Sequence, residues 1–82
     1  MARHEVLTPI PGVFYRRPDP DSDPFVTEGD AVEAGATIGL VEIMKNFQPV
    51  ESEGAGTLVE FLVENEDAVV AGQPVAVVDD GA

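Results

Sequence analysis

An internal repeat constrains this chain more than any other feature. The run Val26-Thr27-Glu28-Gly29-Asp30-Ala31-Val32-Glu33-Ala34-Gly35 returns 37 residues later as Val63-Glu64-Asn65-Glu66-Asp67-Ala68-Val69-Val70-Ala71-Gly72. Asp30, Ala31, Val32, Ala34 and Gly35 fall on Asp67, Ala68, Val69, Ala71 and Gly72, and the match runs on from Ile38–Glu42 to Val75–Asp79. The earlier part of each copy aligns at another offset, with Pro11-Gly12-Val13-Phe14 on Ala55-Gly56-Thr57-Leu58, 44 residues apart. The difference, 44 − 37 = 7, places about seven extra residues between Tyr15 and Val26. Two copies of one unit in a chain of 82 residues predict two similar half-sheets related by a pseudo-two-fold axis.

The unit is a β unit. Ile38–Ile43, Thr57–Leu62 and Pro74–Val78 are short runs rich in β-forming residues, punctuated by Pro11-Gly12, Gly29, Gly35, Gly54, Gly56 and Gly72. No window carries a helical stripe of useful length. Closely spaced short strands predict a small all-β sandwich or flattened barrel. The extra segment Arg16-Arg17-Pro18-Asp19-Pro20-Asp21-Ser22-Asp23-Pro24-Phe25 has three prolines and three aspartates, the composition of a loop. Proline stiffens it, and by composition alone it reads as a tolerated surface insertion.

Size and charge narrow the function. One short domain has a modest core, so a surface site is easier to build than a deep catalytic one. Sixteen Asp and Glu against four Lys and Arg give a net charge of −12, which favours solubility and a monomer in isolation. No basic stripe exists to neutralise phosphates, which excludes nucleic acid, and anionic membranes are excluded on the same ground. The absence of cysteine removes disulfide and thiolate chemistry. With one histidine, His4, metal binding would fall to carboxylates whose spacing matches no known loop, so no metal is expected. The start, Met1 to Val6, lacks an apolar leader, and no apolar run approaches the ~20 residues of a membrane span. A cytoplasmic domain is expected.

The copies join near Met44-Lys45, between strands expected at Thr37–Ile43 and Asn46–Glu51. The junction is short enough for a tight hairpin, which needs positive φ at one or both central positions. Asn46 is one residue that tolerates that region. An exposed lysine is ordinarily a solvated charge. This one is the only lysine in the chain and stands at the junction of the repeat, which suits an enzyme that must acylate one amine and no other.

Glu42-Ile43-Met44-Lys45 resembles the E-A-M-K segment of biotinyl domains, in which the lysine receives biotin. Pro11-Gly12-Val13-Phe14-Tyr15 resembles the P-x-x-G-x-F-Y opening of biotin carboxyl carrier subunits of bacterial acetyl-CoA carboxylase, and the loop at 16–25 resembles their protruding thumb. Phe25 with Gly29, Asp30, Val32 and Gly35, then Gly54-Ala55-Gly56-Thr57 and Gly72-Gln73-Pro74-Val75, extend the resemblance from about Val6 to Asp79. It implies one biotinyl domain over residues 1–82, an attachment hairpin at 42–47 and the hammerhead or barrel-sandwich hybrid fold. In that fold two four-stranded antiparallel sheets are related by pseudo-two-fold symmetry.

The resemblance also implies a mechanism. A biotin protein ligase transfers biotin from an acyl-adenylate to Lys45, forming an amide and removing the lysine's charge. A biotin carboxylase then loads a carboxyl group, and a carboxyltransferase passes it to an acceptor. The chain would be a non-catalytic carrier whose tether raises the effective concentration of its cofactor at each site. Met44, Glu42, Ile43 and Asn46 would form the recognition surface around Lys45, with Arg16, Arg17 and their loop near the biotin ring or a partner. Ile43 and Asn46 replace the family's usual alanine and methionine, and Phe47-Gln48-Pro49-Val50 departs from its common pattern. These changes point toward a carboxylase other than the standard acetyl-CoA type. The family's N-terminal domain and Ala/Pro-rich linker have no counterpart here, which makes a stand-alone unit the expectation. Pro49 cannot donate to a ladder, which predicts an edge strand. Two alternatives are a lipoyl carrier, which would show D-K-A around its lysine, and an unmodified acidic interaction module. An enzyme in its own right finds no support, because Ser22, Ser52 and Tyr15 have no histidine at a suggestive spacing.

Overall fold

The computed structural model of the chain describes residues 3–19 and 21–80. Met1, Ala2, Pro20, Gly81 and Ala82 lie outside them, and with them parts of the expected 1–82 domain and 16–25 loop. Eight strands follow in order: β1 (Arg3–Leu7), β2 (Gly12–Tyr15), β3 (Ala31–Val32), β4 (Thr37–Ile43), β5 (Asn46–Glu51), β6 (Gly56–Phe61), β7 (Ala68–Val69) and β8 (Pro74–Asp79). They form two four-stranded antiparallel sheets, ordered β1-β8-β6-β3 and β5-β4-β2-β7, which do not close on each other.

The repeat is the symmetry of this architecture. An offset of 44 carries β2 onto β6, and 37 carries β3 onto β7 and β4 onto β8. The hydrogen bonds repeat with the strands. Gly35 N donates to Ser52 O and Ser52 N to Ala36 O; in the other half Gly72 N donates to Thr8 O and Thr8 N to Gln73 O. Thr8 and Ser52 are buried, and each hydroxyl donates two residues onward, to Ile10 O and Gly54 O. That satisfies polar groups which would otherwise be stranded in the interior. Asp30 and Asp67 play one part twice, their carboxylates accepting from the backbone N–H groups of Thr27 and Glu64. The aspartates kept in both copies are therefore turn-forming residues.

Alternation along each strand fills the space between the sheets. Phe14, Ile38, Val41 and Val50 from one sheet meet Val6, Leu58, Val75 and Val78 from the other, all fully or almost fully buried. Two glycines set the closest backbone approaches. A side chain on Gly12 would collide with the carbonyl oxygen of Glu42, and one on Gly56 with that of Asp79, the residue equivalent to Glu42 at offset 37. β5 is an edge strand, bonded only to β4. With Ile43 and Asn46 forming the hydrogen-bonded pair that closes the hairpin, alternation leaves Leu40 and Pro49 as a non-bonded pair. Pro49 therefore costs no ladder bond and removes a donor from the free edge.

Candidate functional site

The β4–β5 hairpin turns in two residues. Ile43 pairs with Asn46, leaving Met44 and Lys45 at φ of 50° and 67°. Positive φ at both central positions defines a type I′ turn, whose twist matches that of the strands it joins. Asn46, which tolerates the left-handed conformation, is not one of the two residues that adopt it. It is the first residue of β5, and the register puts the strain on the two residues between the paired ends. Neither Met nor Lys favours that region, at a cost of about 1–2 kcal/mol each, and the strand pairing holds them there. Asn46 instead donates from Nδ2 to the carbonyl oxygen of Met44 at 3.4 Å. The result is a fixed tip from which Met44 projects, 87% exposed, beside an exposed Lys45.

The other predicted site residues anchor this tip. Ile43 is half-buried at the end of β4. Glu42 faces outward, and its Oε1 accepts a hydrogen bond from the Tyr15 hydroxyl at 3.0 Å. This bond to a carboxylate, then desolvation, then the negative charges of Glu42 and Glu66 raise the Tyr15 phenol above its usual 10.0. The ring of Tyr15 also packs against Phe47 at a centroid distance of 6.2 Å. Sequence reasoning missed Tyr15 and Phe47 as parts of the site. The alternation of outward Val13 and Tyr15 around inward Phe14 carried the signal, but only strand register brings Tyr15 to Glu42, 27 residues away.

The inserted loop stands beside this surface. Phe25 N donates to Arg16 O at 2.9 Å, closing its neck, and the Asp19 carboxylate accepts from Asp21 N and Ser22 Oγ. Arg16 binds the second half of the chain. Its backbone N donates to Asn65 Oδ1, its guanidinium donates to Val63 O at 2.7 Å, and its Cζ lies 4.3 Å from the Phe61 ring centroid. Arg16 is thus occupied in holding the loop. Arg17 is placed differently: with Tyr15, Pro18, Asp19, Phe47 and Glu66 it lines a cleft of about 400 Å³ near the hairpin. Among the described residues no group of three or more His, Asp or Glu side chains could hold a metal ion. Among the same residues no helix is long and apolar enough to cross a membrane.

What this assembly offers chemically is one amine, held out on a stiff turn and flanked by an apolar, partly acidic sheet face. A family profile described as "Biotin-requiring enzyme" matches residues 4–78, and the chain belongs to this biotin and lipoyl family.

Its curated relatives include the biotin carboxyl carrier protein of acetyl-CoA carboxylase from a Nostoc species, 39% identical over 85% of this chain and 38% of that protein. The protein of the same name from Haemophilus influenzae is 33% identical over 96% of this chain and 51% of its own length. That from Streptococcus pyogenes is 41% identical over 83% and 41%. Among solved structures, Kluyveromyces lactis urea carboxylase superposes with a TM-score of 0.80 at 29% identity, over 96% of this chain and 6% of that one. The chain spans about half or less of each of these curated relatives.

Proposed function

We propose that this chain is a biotin carboxyl carrier, with biotin attached through an amide to Lys45. Residues 1–82 would act as one carrier domain, the 16–25 loop and the 42–47 hairpin being its functional projections. The observation that carries the reading is the position of the chain's only lysine, at the tip of a type I′ turn whose geometry is unfavourable for the residues that occupy it. The names of the relatives support biotin over lipoate.

Biotin, when bound, supplies a ring nitrogen able to carry a carboxyl group. The protein's own residues do the positioning. The turn keeps Nζ clear of the sheet for an acylating enzyme. Met44 and Asn46 present an apolar and a polar contact beside it, and Ile43 anchors the end of β4. The Tyr15–Glu42 hydrogen bond fixes the outer strand positions from which the hairpin rises. Once the amide forms, the positive charge of Lys45 is gone and Glu42 is the one charged residue left within the 42–47 hairpin, a neutral arm on an acidic carrier. A biotin protein ligase, a biotin carboxylase and a carboxyltransferase are the partners assigned by this reading, in the cytoplasm; relatives named as chloroplastic mark the other compartment in which such carriers work.

Mass spectrometry tests the reading directly. Protein produced in a host with a biotin protein ligase should gain one biotinyl increment, and Lys45→Ala should abolish it. A lipoyl increment, or none, would overturn it.

A further inference from the structure

The two halves of this fold provide an internal control for its surface. In antiparallel sheets paired residues share a face, so register gives the composition of each outer face. On the sheet bearing the attachment hairpin, one row is Phe47, Glu42 and Val13, and the next is Pro49, Leu40 and Tyr15. The pseudo-two-fold carries the first row onto Arg3, Asp79 and Thr57. It carries the second onto Glu5, Val77 and Val59, where a strand irregularity sets Glu60 opposite Val77. At these positions that face is mainly polar: Arg3 pairs with Asp79 at 3.5 Å, and Glu5, Thr57 and Glu60 are exposed, with Val59 and Val77 half-buried among them. The architecture therefore does not require apolar side chains at the edge-strand positions equivalent to Phe47 and Pro49, which are Arg3 and Glu5. Yet Phe47 is 51% exposed, and Pro49, Leu40 and Tyr15 extend the patch across three strands.

We infer that the outer face of the β5-β4-β2 sheet is the docking surface for the enzyme that acylates Lys45, and that this enzyme meets it with an apolar centre and a basic rim. The inference rests on the proposed attachment at Lys45. Two arguments select the occupant. The first is reach. Before modification the reacting Nζ stands only four methylenes from the backbone, so whatever acylates it must close on the sheet around the turn. An enzyme that handles the far end of the completed arm can stand further off. The second is charge. The net charge of −12, with Glu42 within the face and Glu66 and Asp19 at its margin, disfavours a second copy of this chain and favours a cationic partner. Exposed aromatic residues flanked by charge are the usual composition of such anchors.

The experiment uses the full chain as acceptor for a biotin protein ligase, with KM and kcat measured separately. The double substitution Phe47→Arg/Pro49→Glu installs the residue types that the other sheet carries at Arg3 and Glu5, and leaves the net charge unchanged. It is expected to raise KM tenfold or more with kcat within twofold, whereas Arg3→Phe on the opposite face leaves KM unchanged. For the wild-type chain, KM should rise several-fold between 50 and 300 mM KCl, as charge screening requires. An NMR footprint of the ligase on the Lys45→Met chain covers the case in which the double variant does not fold. Broadening centred on Tyr15, Leu40 and Phe47 supports the assignment, and broadening centred on Glu5, Thr57 and Val77 overturns it. An unchanged KM in a folded double variant also overturns it while leaving the attachment reading intact. A wild-type chain that accepts no biotin overturns both.

Discussion

Gly12→Ala against Gly56→Ala separates the stability of the fold from the geometry of the hairpin. The two glycines are equivalent under the repeat, and each lets a strand pass close to a neighbouring carbonyl. An added Cβ on Gly12 would strike Glu42 O and lie 2.8 Å from Val41 Cγ1; on Gly56 it would strike Asp79 O and lie 2.8 Å from the Asp79 carbonyl carbon. Ordinary contact begins at 3.4 Å, so β2 must withdraw from β4 by at least 3.4 − 2.8 = 0.6 Å. Weakening two ladder hydrogen bonds costs about 2 kcal/mol. Gly12 also has φ of 153°, a region nearly confined to glycine, which adds about 1–2 kcal/mol for alanine. The totals are about 3–4 kcal/mol for Gly12→Ala and about 2 kcal/mol for Gly56→Ala. A domain of this size has roughly 4–12 kcal/mol in all, so Gly56→Ala keeps a folded majority throughout that range and Gly12→Ala does so above its lower end. Urea unfolding followed by far-UV circular dichroism should show midpoints lowered by about 3 M and about 2 M. Only Gly12→Ala displaces Glu42, so only that variant should acylate more slowly at Lys45 under folding conditions. A Gly12→Ala midpoint within about 0.5 M of wild type, or equal acylation of the two variants, would refute the reasoning.

Three further outcomes follow from the site. Tyr15 is the only tyrosine and there is no tryptophan, so absorbance at the phenolate band reports it alone. Its midpoint should lie above 10.0 and fall toward it in Glu42→Gln. Because the folded value exceeds the unfolded one, the pair's contribution to stability is complete below the unfolded pKa and is lost as pH rises through the folded value; alkaline melts of Tyr15→Phe should show a flatter decline. Glu66 holds φ of 73° where its equivalent in the first copy is Gly29 at 98°. Glu66→Gly relieves about 1–2 kcal/mol of backbone strain and costs about 0.5–1 kcal/mol in unfolded-chain entropy, so a melting temperature a few degrees higher is expected. Arg16→Ala, which removes the hydrogen bond to Val63 O and the packing on Phe61, should cost about 1–2 kcal/mol. Hydrogen exchange should rise first in the 16–25 loop.

Much of this protein was legible as text because its symmetry is written in the sequence. Offsets of 37 and 44 anticipated which strands of the two sheets are equivalent, and their difference located the loop. The junction singled out Lys45, and Pro49 marked the edge. Each of these is a local or periodic property: turn chemistry, alternation, a missing N–H. What the text did not reveal was long-range register. Which two residues absorb the turn's positive φ depends on Ile43 facing Asn46, and so the strain falls on Met44 and Lys45 although Asn46 has the better intrinsic tolerance. The Tyr15–Glu42 bond, the Phe47 packing and the use of Arg16 as an internal clamp join residues 27 to 49 apart. The sequence by itself determined a duplicated β unit with one amine at its seam. Only tertiary structure decided which outer face that amine rises from, because a face is a property of paired strands, and pairing is settled by packing across the core.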